Sequence, residues 1–569
     1  MKYNKPDPLK SYTLLSMINR TIERFPAYNA LSMVDGKPIT YGELGNMIED
    51  VIVLLHSHGV IKGDRVAILS ENSPHWGIAY LAITTMGAIV VPILTDFHTN
   101  EINHILRHSG CKVIFVSSLL YDKISYEDVA IKPEVILIET FDFVPLNAGK
   151  DKLRELMKEG TKSFSILKEK ALKAAGLIKR EVQEDDLAAI IYTSGTTGSS
   201  KGVMLTHKNL VYDAWITLHI QMVDEKDRLI SILPLSHAYE GTIGFIIPMM
   251  TGACVYYLDK PPTARVLVPA MQKIRPTMIL SVPLVIEKIF KVQIHPQLTK
   301  NFVMREMYKT PLIRKLLHQA AGRKLMKTFG GKMHFFGVGG ALLSPDVERF
   351  LYEAGFPYAI GYGLTETSPL IAGCAPAVVK FRATGVTLPT LDVRIANPDM
   401  KTGEGEIQVK GATVMKGYYK DPERTKQVFT PDGFFKTGDL GILTKTGYLY
   451  IKGRIKNVIV GSNGENIYPE EIESILNEDE YVLESLVYES DKKIIARVFL
   501  NYEILEKNHG FSKMNNTQTQ KVISTLLEHI RNRVNQNVST FSRLHKIIEQ
   551  KEPFEKTPTQ KIKRFLYKD

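Results

Sequence analysis

Short apolar runs alternate with helical patterns along residues 40–116, and this alternation restricts the fold more than any other feature of the chain. Residues 65–69, 89–93 and 113–116 each form a continuous apolar run that predicts a strand, and residues 76–86 predict a helix between the first two runs. Strands that alternate with helices form βαβ units. The pattern therefore predicts a parallel sheet with helices packed against it.

The composition changes twice further along the chain. Residues 385–455 are rich in glycine and contain short β-type runs, and the remaining segment has an α+β pattern. We therefore expect an α/β protein with a large N-terminal domain at residues 1–452, of which 385–452 form a β-rich subdomain. A hinge at 453–457 then leads to a small, mobile C-terminal domain at 458–569.

The charge balance sets limits on the partners of the protein. Lys and Arg number 72 and Asp and Glu 61 among 569 residues, which gives a net charge of +11. This charge leaves open an ordinary basic surface, anionic substrates, an anionic membrane face or nucleic acid. We expect no nucleic acid partner, because only the net charge favours one.

Cysteine usage and hydropathy bear on the compartment. The three cysteines are far apart, which argues against a disulfide framework or a structural zinc site and favours a reducing compartment. The first 20 residues lack the apolar core of a signal peptide. Residues 241–257 are apolar but too short to span a bilayer, so they predict a buried core beside a site.

Residues 150–180 form a lysine-rich segment with Phe164, Leu167 and Ala171 at helical spacing. Two interpretations stay open. The segment is either a solvated surface insertion or a basic amphipathic helix that lies on anionic lipid.

A loop rich in Gly, Ser and Thr follows the apolar run at 187–191 and carries the strongest functional signal. Such a loop presents several backbone N–H groups, hydroxyls and one ammonium close together, which suits a polyphosphate. It is not a Walker A loop, because Ser200 precedes the lysine and Gly202 follows it. Its candidate nucleotide-binding residues are Thr193, Ser194, Gly195, Thr196, Thr197, Gly198 and Lys201.

The segment 360–367 supplies complementary chemistry. Tyr362 offers a flat ring for stacking on a base, Thr365 a hydroxyl for a phosphate, and Glu366 a carboxylate for Mg²⁺.

These motifs, in this order, resemble the adenylate-forming enzymes, which include acyl-CoA synthetases, luciferases and nonribosomal adenylation domains. The resemblance extends from Thr40 to Arg564. It implies an active site between a large domain and a small domain that rotates during the reaction. The resemblance also implies a magnesium site at Thr193 and Glu366. It implies an adenine site formed by Gly339, Gly340, Ala341, Tyr362 and Gly363.

Three later segments add to the resemblance. It implies that Asp439 and Arg454 bind the ribose, that Lys456 lies at the pivot, and that loop 461–466 lines a thiol tunnel. Lys561 corresponds to the catalytic lysine of the family. A compact ammonium on a long side chain suits the neutralisation of a carboxylate and a phosphate as they approach.

The segment 233–240 resembles the part of the family that borders the substrate carboxylate. His237 in it is expected to form a wall or gate of the acyl pocket, and it need not act as a base because a carboxylate is already ionised at pH 7. The candidate catalytic residues are therefore Lys561, Lys201, Thr365 and His237.

The segments at 150–180, 233–240 and 556–564 are most similar to long-chain fatty acyl-CoA synthetases. The resemblance implies an AMP-forming ligase that uses ATP and Mg²⁺ to activate a fatty acid and then transfers the acyl group to the thiol of CoA. Two alternatives stay open: transfer to an acyl carrier protein, and a catalytically inactive acyl- or nucleotide-binding membrane-associated protein. We expect a cytoplasmic location, with peripheral contact at the anionic inner membrane face left open.

Overall fold

The structure is a computed structural model, and its description covers residues 6–124, 132–145, 149–159, 180–193, 200–460, 466–557 and 561–567. The protein is a mixed α/β protein with a large N-terminal domain of sheets and helices and a smaller C-terminal domain. The predicted fold class is therefore confirmed.

The first sheet contains the strands that the opening pattern predicted. Its central strands are parallel and its edge strands antiparallel. Fully buried parallel strands read as continuous apolar runs, which is why the sequence identified them. Over the residues described, the order of its eight strands is Gly417–Tyr418, Lys201–Thr206, Leu187–Thr193, Ile89–Pro92, Arg65–Leu69, Val113–Val116, Glu134–Leu137 and Asp142–Val144.

The second sheet is parallel except at one edge, where two strands form an antiparallel pair. The described part of the chain contributes seven strands to it, in the order Tyr358–Ile360, Phe335–Val338, Met278–Ser281, Arg228–Ser231, Cys254–Tyr257, Asn29–Met33 and Ile39–Thr40.

The helix Pro74–Thr85 packs between the two sheets and contacts strands of both. It buries every residue except His75, and Ser73 caps its first turn. This helix therefore joins the two sheets through one hydrophobic core. Within the described ranges, the other α-helices of the N-terminal domain are Leu14–Arg24, Tyr41–Ser57, Thr99–Ser109, Lys150–Glu159, His207–Thr217, Ile247–Thr251, Ala264–Ile274, Pro283–Ile289, His295–Leu298, Phe302–Lys309, Pro311–Thr328, Pro345–Ala354 and Pro422–Val428.

The β-rich region is less separate than the sequence suggests. The described strands Asp392–Ala396, Gly405–Lys410, Phe435–Leu443 and Leu449–Arg454 form an antiparallel sheet. Gly417–Tyr418 instead pairs with the first large sheet. A smaller sheet of Tyr362–Gly363, Leu370–Gly373 and Val386–Thr387 begins before residue 385.

The C-terminal domain has its own hydrophobic core, formed by buried residues between Ile459 and Ile547. Its main sheet combines one antiparallel and one parallel pair of strands. A two-stranded ladder of Ile459–Val460 and Asn466–Ile467 lies beside the hinge. The described strands of the main sheet are Val482–Ser490, Lys493–Leu500 and Lys546–Gln550, and the α-helices are Pro469–Leu476, Tyr502–His509 and Asn516–Asn537.

The apolar stretch at 241–257 is buried, as predicted. It begins in the π-helix Glu240–Ile246, continues through Ile247–Thr251 and ends in a strand of the second sheet. No helix in the described ranges has both the length and the hydropathy needed to cross a bilayer. Of the predicted amphipathic segment, Lys150–Glu159 is a helix, and residues 160–179 lie outside the described residues.

Candidate active site

A β-hairpin holds the two ends of the glycine-rich loop. Strand Leu187–Thr193 enters the loop and strand Lys201–Thr206 leaves it, and Thr193 pairs directly with Lys201. The hairpin explains why this sequence is not a Walker A loop, since a strand rather than a helix follows it. The predicted nucleotide-binding residues Ser194, Gly195, Thr196, Thr197 and Gly198 lie outside the described residues.

Lys201 connects this loop to the 360–367 motif. Its Nζ donates hydrogen bonds to Glu366 Oε1 and to the Tyr418 hydroxyl, each over 2.6 Å. The Tyr418 hydroxyl in turn donates to Glu366 Oε1 over 2.9 Å. Burial opposes ionisation of Glu366, but the charge of Lys201 and these hydrogen bonds hold the pKa of Glu366 below its ordinary value. Thr365 is partly buried in the same 3-10 turn.

Three predicted segments meet at one edge of the second sheet. They follow the parallel strands Arg228–Ser231, Phe335–Val338 and Tyr358–Ile360, whose carboxyl ends lie at the same edge of the sheet. The last two strands are neighbours, and Met278–Ser281 separates them from the first. Such an edge is where open α/β sheets bind ligands. The positions that follow these strands are the 233–240 segment with His237, Gly339 to Ala341, and Gly361 to Gly363.

Steric contacts explain why several positions at this edge of the sheet are glycines. A Cβ at Gly363 would lie 1.8 Å from the carbonyl oxygen of Pro369, so no larger residue fits. Gly340 has a φ of +88°, a left-handed backbone conformation that favours glycine. A Cβ at Gly339 would come within 3.1 Å of the Tyr239 ring, so this glycine also makes room for a protein side chain. Ala341 is exposed beside them.

Asp439 binds two partners predicted to belong to the same site. It faces Arg454 across the antiparallel pair of strands, and Arg454 Nε lies 3.1 Å from its Oδ1. The Tyr362 hydroxyl donates to its Oδ2 over 2.8 Å. Burial raises the pKa of Asp439, while the charge of Arg454 and the Tyr362 hydroxyl favour the ionised form. The arrangement presents a nearly buried carboxylate beside an aromatic ring.

His237 is neutral in this structure. Burial, together with the positive charge of Lys561, lowers the pKa of His237 to about 4. Its Nδ1 accepts a hydrogen bond from the backbone N–H of Tyr239 over 3.3 Å. An imidazole of this kind can form a wall of a pocket, and it carries no charge near neutral pH.

A buried polar network lies beneath this segment. Ser231 donates to Glu240 Oε1 over 2.6 Å, and the side-chain amide of Asn72 donates to Ser231 over 2.9 Å. Asn72 Oδ1 also accepts from the backbone N–H of Leu235. Burial raises the pKa of Glu240 to about 8, so this carboxyl is mostly protonated at pH 7. The network fixes the backbone that carries His237.

Lys561 lies at the end of a short hairpin in the C-terminal domain. Thr557 and Lys561 are joined by a backbone hydrogen bond of 2.7 Å, and Lys556 pairs with Ile562. Residues 558–560 at the tip lie outside the described residues. The hairpin is fixed to its own domain, because Lys556 Nζ lies 2.6 Å from Glu484 Oε1.

Lys561 faces the N-terminal residues of the site. Burial in the cleft lowers the pKa of Lys561, the charge of Arg454 lowers it further, and the carboxylates of Asp439 and Glu366 act in the opposite direction. The same ammonium acts on His237. Lys561 keeps access to solvent at the mouth of the cleft. The structure thus brings the predicted lysine close to four predicted site residues of the other domain.

Two further contacts hold the domains in this arrangement. Lys291 Nζ donates to the backbone carbonyl of Asn477, and the Tyr468 hydroxyl donates to Glu404 Oε2 over 2.6 Å. Both contacts join the N-terminal domain to residues after the hinge, so a rotation of the small domain would break or rearrange them.

The predicted hinge at 453–457 lies partly in a strand and partly in a turn. Strand Leu449–Arg454 includes Gly453 and Arg454, whose register is fixed by Leu440 and Asp439. Only the last three residues of the predicted hinge, with the exposed Lys456 among them, form the 3-10 turn Ile455–Asn457. The ladder pairing of Arg454 extends the strand because its side chain binds Asp439. Residues 461–465 of the predicted tunnel loop lie outside the described residues.

Sequence reasoning missed Tyr418. Its hydroxyl binds both Lys201 and Glu366, yet it lies 52 residues from Glu366 in the chain. The only sequence signal is its place in a short aromatic run after Gly417, in a region of glycine-rich strands.

The donor set fits a magnesium ion that binds together with a nucleotide. Thr193 Oγ1 is buried and receives no hydrogen bond from a described residue, and it lies beside Lys201, the partner of the Glu366 carboxylate. The described residues contain no cluster of three His, Cys, Asp or Glu side chains. Mg²⁺ commonly takes one or two carboxylates and leaves its other positions to water and substrate phosphates.

Comparisons with known proteins found relatives that match most of the chain. The chain is 29% identical over 545 residues to long-chain-fatty-acid–CoA ligase 1 of Saccharomyces cerevisiae, which covers 84% of this chain and 77% of the relative. It is also 29% identical over 511 residues to the long-chain-fatty-acid–CoA ligase of Bacillus subtilis, with 84% and 83% covered.

A solved structure has the same fold. O-succinylbenzoate coenzyme A synthetase from Bacillus subtilis, in complex with ATP and magnesium ion, has a TM-score of 0.74 at 24% identity, and 97% of this chain and 99% of that chain are covered. The family model described as AMP-binding enzyme matches residues 18–419, which is more than half of the chain. The chain therefore belongs to the family of AMP-binding enzymes.

Proposed function

We propose that this protein is an ATP-dependent ligase that joins a long-chain fatty acid to CoA. The fatty acid carboxylate is first activated as an acyl adenylate with release of pyrophosphate, and the acyl group then passes to the CoA thiol. The observation that carries the proposal is the position of Lys561, on the hairpin of the small domain, within electrostatic range of Asp439, Arg454 and Glu366. Relatives named long-chain-fatty-acid–CoA ligases support the acid and the acceptor.

In the first half-reaction, a carboxylate oxygen of the fatty acid forms a bond to the α-phosphorus of ATP. The bond from this phosphorus to the bridging oxygen breaks, and pyrophosphate leaves with the electron pair. Negative charge gathers on the phosphates, so fixed cations contribute most where they face it. In this proposal Lys201 and Lys561 supply that charge, and Asp439 accepts hydrogen bonds from the ribose hydroxyls. The ion pair of Lys201 with Glu366 and the Tyr362 hydrogen bond to Asp439 support these roles.

Thr193 and Glu366 would hold Mg²⁺ together with the phosphates. When bound, the metal ion neutralises phosphate charge and orients the leaving group. For Glu366 to serve as a ligand, it must loosen its hydrogen bonds to Lys201 and Tyr418, which lets the Lys201 ammonium turn toward a phosphate.

In the second half-reaction, the CoA sulfur forms a bond to the acyl carbon. The bond from this carbon to the phosphate oxygen breaks, AMP leaves with the electron pair, and the thiol proton passes to solvent. Lys561 occupies the cleft in the observed arrangement. We infer that the small domain rotates about Ile455–Asn457 to open the path for the thiol.

The proposal also covers the location of the protein and the acceptor of the acyl group. We place the protein in the cytoplasm, in peripheral contact with the anionic inner membrane face, where long-chain acids are abundant. Nothing in the comparisons favours a carrier protein as the acceptor. Thioester formation with CoA and with a phosphopantetheine-bearing carrier protein, measured side by side, separates the two acceptors, and pyrophosphate exchange across a series of acids gives the chain length.

The decisive experiment measures the two half-reactions separately in Lys561→Ala. Pyrophosphate release should fall by about 10³-fold or more, because the charge that faces the phosphates is lost. Thioester formation from supplied acyl adenylate and CoA should stay within about threefold of the wild type, because the lysine leaves the cleft for that step. The matched control is Lys563→Ala in the same hairpin, where the ion pair with Glu555 is on the surface.

Equal loss of both half-reactions in Lys561→Ala would contradict the two-position scheme. ATP binding without pyrophosphate release for any acid would instead support the catalytically inactive alternative.

A further inference from the structure

Exposed apolar side chains are concentrated on one helical surface of the N-terminal domain. We call this the 302–316 surface. It comprises helix Phe302–Lys309 and the first turns of helix Pro311–Thr328. Phe302 is 76% exposed, Leu312 77% and Leu316 65%, and Val303 and Met307 are exposed beside them. Helix Phe302–Lys309 has no buried residue at all, although half of its side chains are apolar.

The inner side of this surface is held in place by hydrogen bonds. The Tyr308 hydroxyl is within 2.8 Å of His318 Nε2, and Arg314 binds the Glu353 carboxylate with two hydrogen bonds. In a helix, residues three and four apart share a face, so Val303 and Met307 lie together and Leu312 and Leu316 lie together. The outer side of each helix therefore carries apolar side chains of its own, separate from the packed inner side.

The surface is strongly basic. No acidic residue occurs between Glu306 and Asp346, and Glu306 is itself paired with Lys309 over 2.7 Å. Exposed basic residues surround the apolar face and continue along the second helix. They are Lys300, Arg305, Lys309, Lys315, Arg323, Lys324 and Lys327.

We propose that the 302–316 surface docks on an anionic lipid bilayer, with Phe302, Leu312 and Leu316 inserted among the acyl chains and the surrounding cations at the headgroups. Aromatic and aliphatic side chains on one face, with lysine and arginine around them, match the chemistry of an interfacial helix. Cations near an anionic membrane add an electrostatic attraction. An anionic bilayer offers an acyl region for the apolar side chains and charged headgroups for the cations of the same two helices.

This inference deepens the proposed function, because it names the surface that would bring the ligase to the bilayer in which long-chain acids dissolve. It differs from the possibility, left open by the sequence, of a membrane contact at residues 150–180. The two segments make separate predictions, so one experiment distinguishes them.

The experiment is flotation of the full chain with vesicles of phosphatidylcholine alone or with about 30% phosphatidylglycerol. The wild type should float with the anionic vesicles and stay behind with the neutral ones, and about 1 M salt should weaken the binding because it shortens the Debye length to about 3 Å. The triple variant Phe302→Ser/Leu312→Ser/Leu316→Ser should bind at least about tenfold less. The control variant Leu119→Ser/Met400→Ser removes two equally exposed apolar side chains elsewhere and should bind as the wild type does.

A second measurement reports insertion directly. In Phe302→Trp, the indole emission should shift to the blue on anionic vesicles, and lipids brominated near the headgroup end of the acyl chain should quench it. The chain has only two other tryptophans, and the wild type serves as their background. An unshifted, unquenched indole would overturn insertion.

Three outcomes would overturn the proposal. Unchanged flotation of the triple variant is the first. Loss of flotation in Lys168→Gln/Lys170→Gln/Lys173→Gln but not in the triple variant would assign the contact to residues 150–180 instead. A dimer in sedimentation experiments that only the triple variant disrupts would identify a second copy of the chain as the occupant.

Pyrophosphate release measured with a short, water-soluble acid tests the proposed function separately, and the triple variant should retain this activity.

Discussion

The Nζ atom of Lys201 lies 2.6 Å from Oε1 of Glu366, and the Tyr418 hydroxyl lies within hydrogen-bond distance of both. The pair joins the end of the glycine-rich loop to a turn 165 residues later in the chain. The Glu366 side chain is only 9% exposed, so its charge depends on this ammonium for compensation. The ion pair therefore stabilises the fold of the site. It also positions the Lys201 ammonium and the Glu366 carboxylate, both of which the proposed reaction uses.

This dependence predicts the effect of Lys201→Met on stability. The variant leaves a buried carboxylate without its cation, and the free energy of unfolding should fall by about 2–3 kcal/mol, less than for a fully buried pair because Lys201 is partly exposed. The double variant Lys201→Met/Glu366→Gln should recover most of this loss, because a neutral amide can still accept the Tyr418 hydrogen bond. Urea unfolding of the wild type and the three variants measures the coupling.

Activity separates the structural role of the pair from its catalytic role. The double variant should release no more pyrophosphate than either single variant, even though it is folded. Losses in the two single variants that add up to the loss in the double variant would show that the two side chains are not coupled.

Much of the fold could be predicted because buried strands and helices require apolar residues, and these are visible in the sequence. Strands Arg65–Leu69 and Val113–Val116 match the predicted bounds, since a parallel strand covered on both faces needs an unbroken apolar run. The helix predicted at 76–86 begins two residues earlier, at Pro74, because Ser73 caps it. A cap is a local hydrogen bond that the apolar pattern does not record.

The contacts within the site were less accessible to sequence reasoning. The motifs indicated which residues carry chemistry, but the pairing of Asp439 with Arg454 depends on strand register and that of Glu366 with Tyr418 on tertiary packing. Register follows from side chains on both strands together, and no single segment encodes it. The roles of these residues toward a nucleotide stay predictions.

His237 should show no titration near the ordinary histidine pKa. Burial and the charge of Lys561 lower its pKa to about 4, so the imidazole stays neutral from about pH 5 upward. Pyrophosphate release should therefore have no inflection from this group between pH 5.5 and about 8, and His237→Gln should change KM for the acid more than kcat.

Removing a neighbouring positive charge raises a histidine pKa, so NMR titration of the imidazole in Lys561→Ala should give a higher value than in the wild type. A wild-type imidazole that titrates near 6.5 would contradict this assignment.

Glu240 should make the protein less stable as the pH rises. In the folded state burial raises the pKa of Glu240 to about 8, whereas in the unfolded chain it is near 4.5. Between these values the folded state holds a proton that the unfolded state has lost, so stability is present at low pH and falls as the pH rises through this window. From pH 5.5 to 7.5, this carboxyl should cost roughly 2–3 kcal/mol.

Glu240→Gln is the matched variant for this effect. The amide keeps the shape and still accepts from Ser231, but it does not titrate. The difference in the free energy of unfolding between the wild type and Glu240→Gln should therefore change by roughly 2–3 kcal/mol between the two pH values. A constant difference would show that the carboxyl is ionised in the folded protein.

Lys291 should favour the first half-reaction through its contact with the other domain. Its Nζ donates to the carbonyl of Asn477, and burial lowers its pKa although Glu287 and Asp479 favour the charged form. In Lys291→Met this donor is lost, and the arrangement in which Lys561 faces the site becomes less populated. Pyrophosphate release should fall about tenfold, which corresponds to about 1.4 kcal/mol, while thioester formation from supplied acyl adenylate stays unchanged. Lys288→Met, exposed in the preceding helix Pro283–Ile289, is the control and should change neither rate. A parallel loss of both half-reactions would instead mean that Lys291 supports the fold of the N-terminal domain.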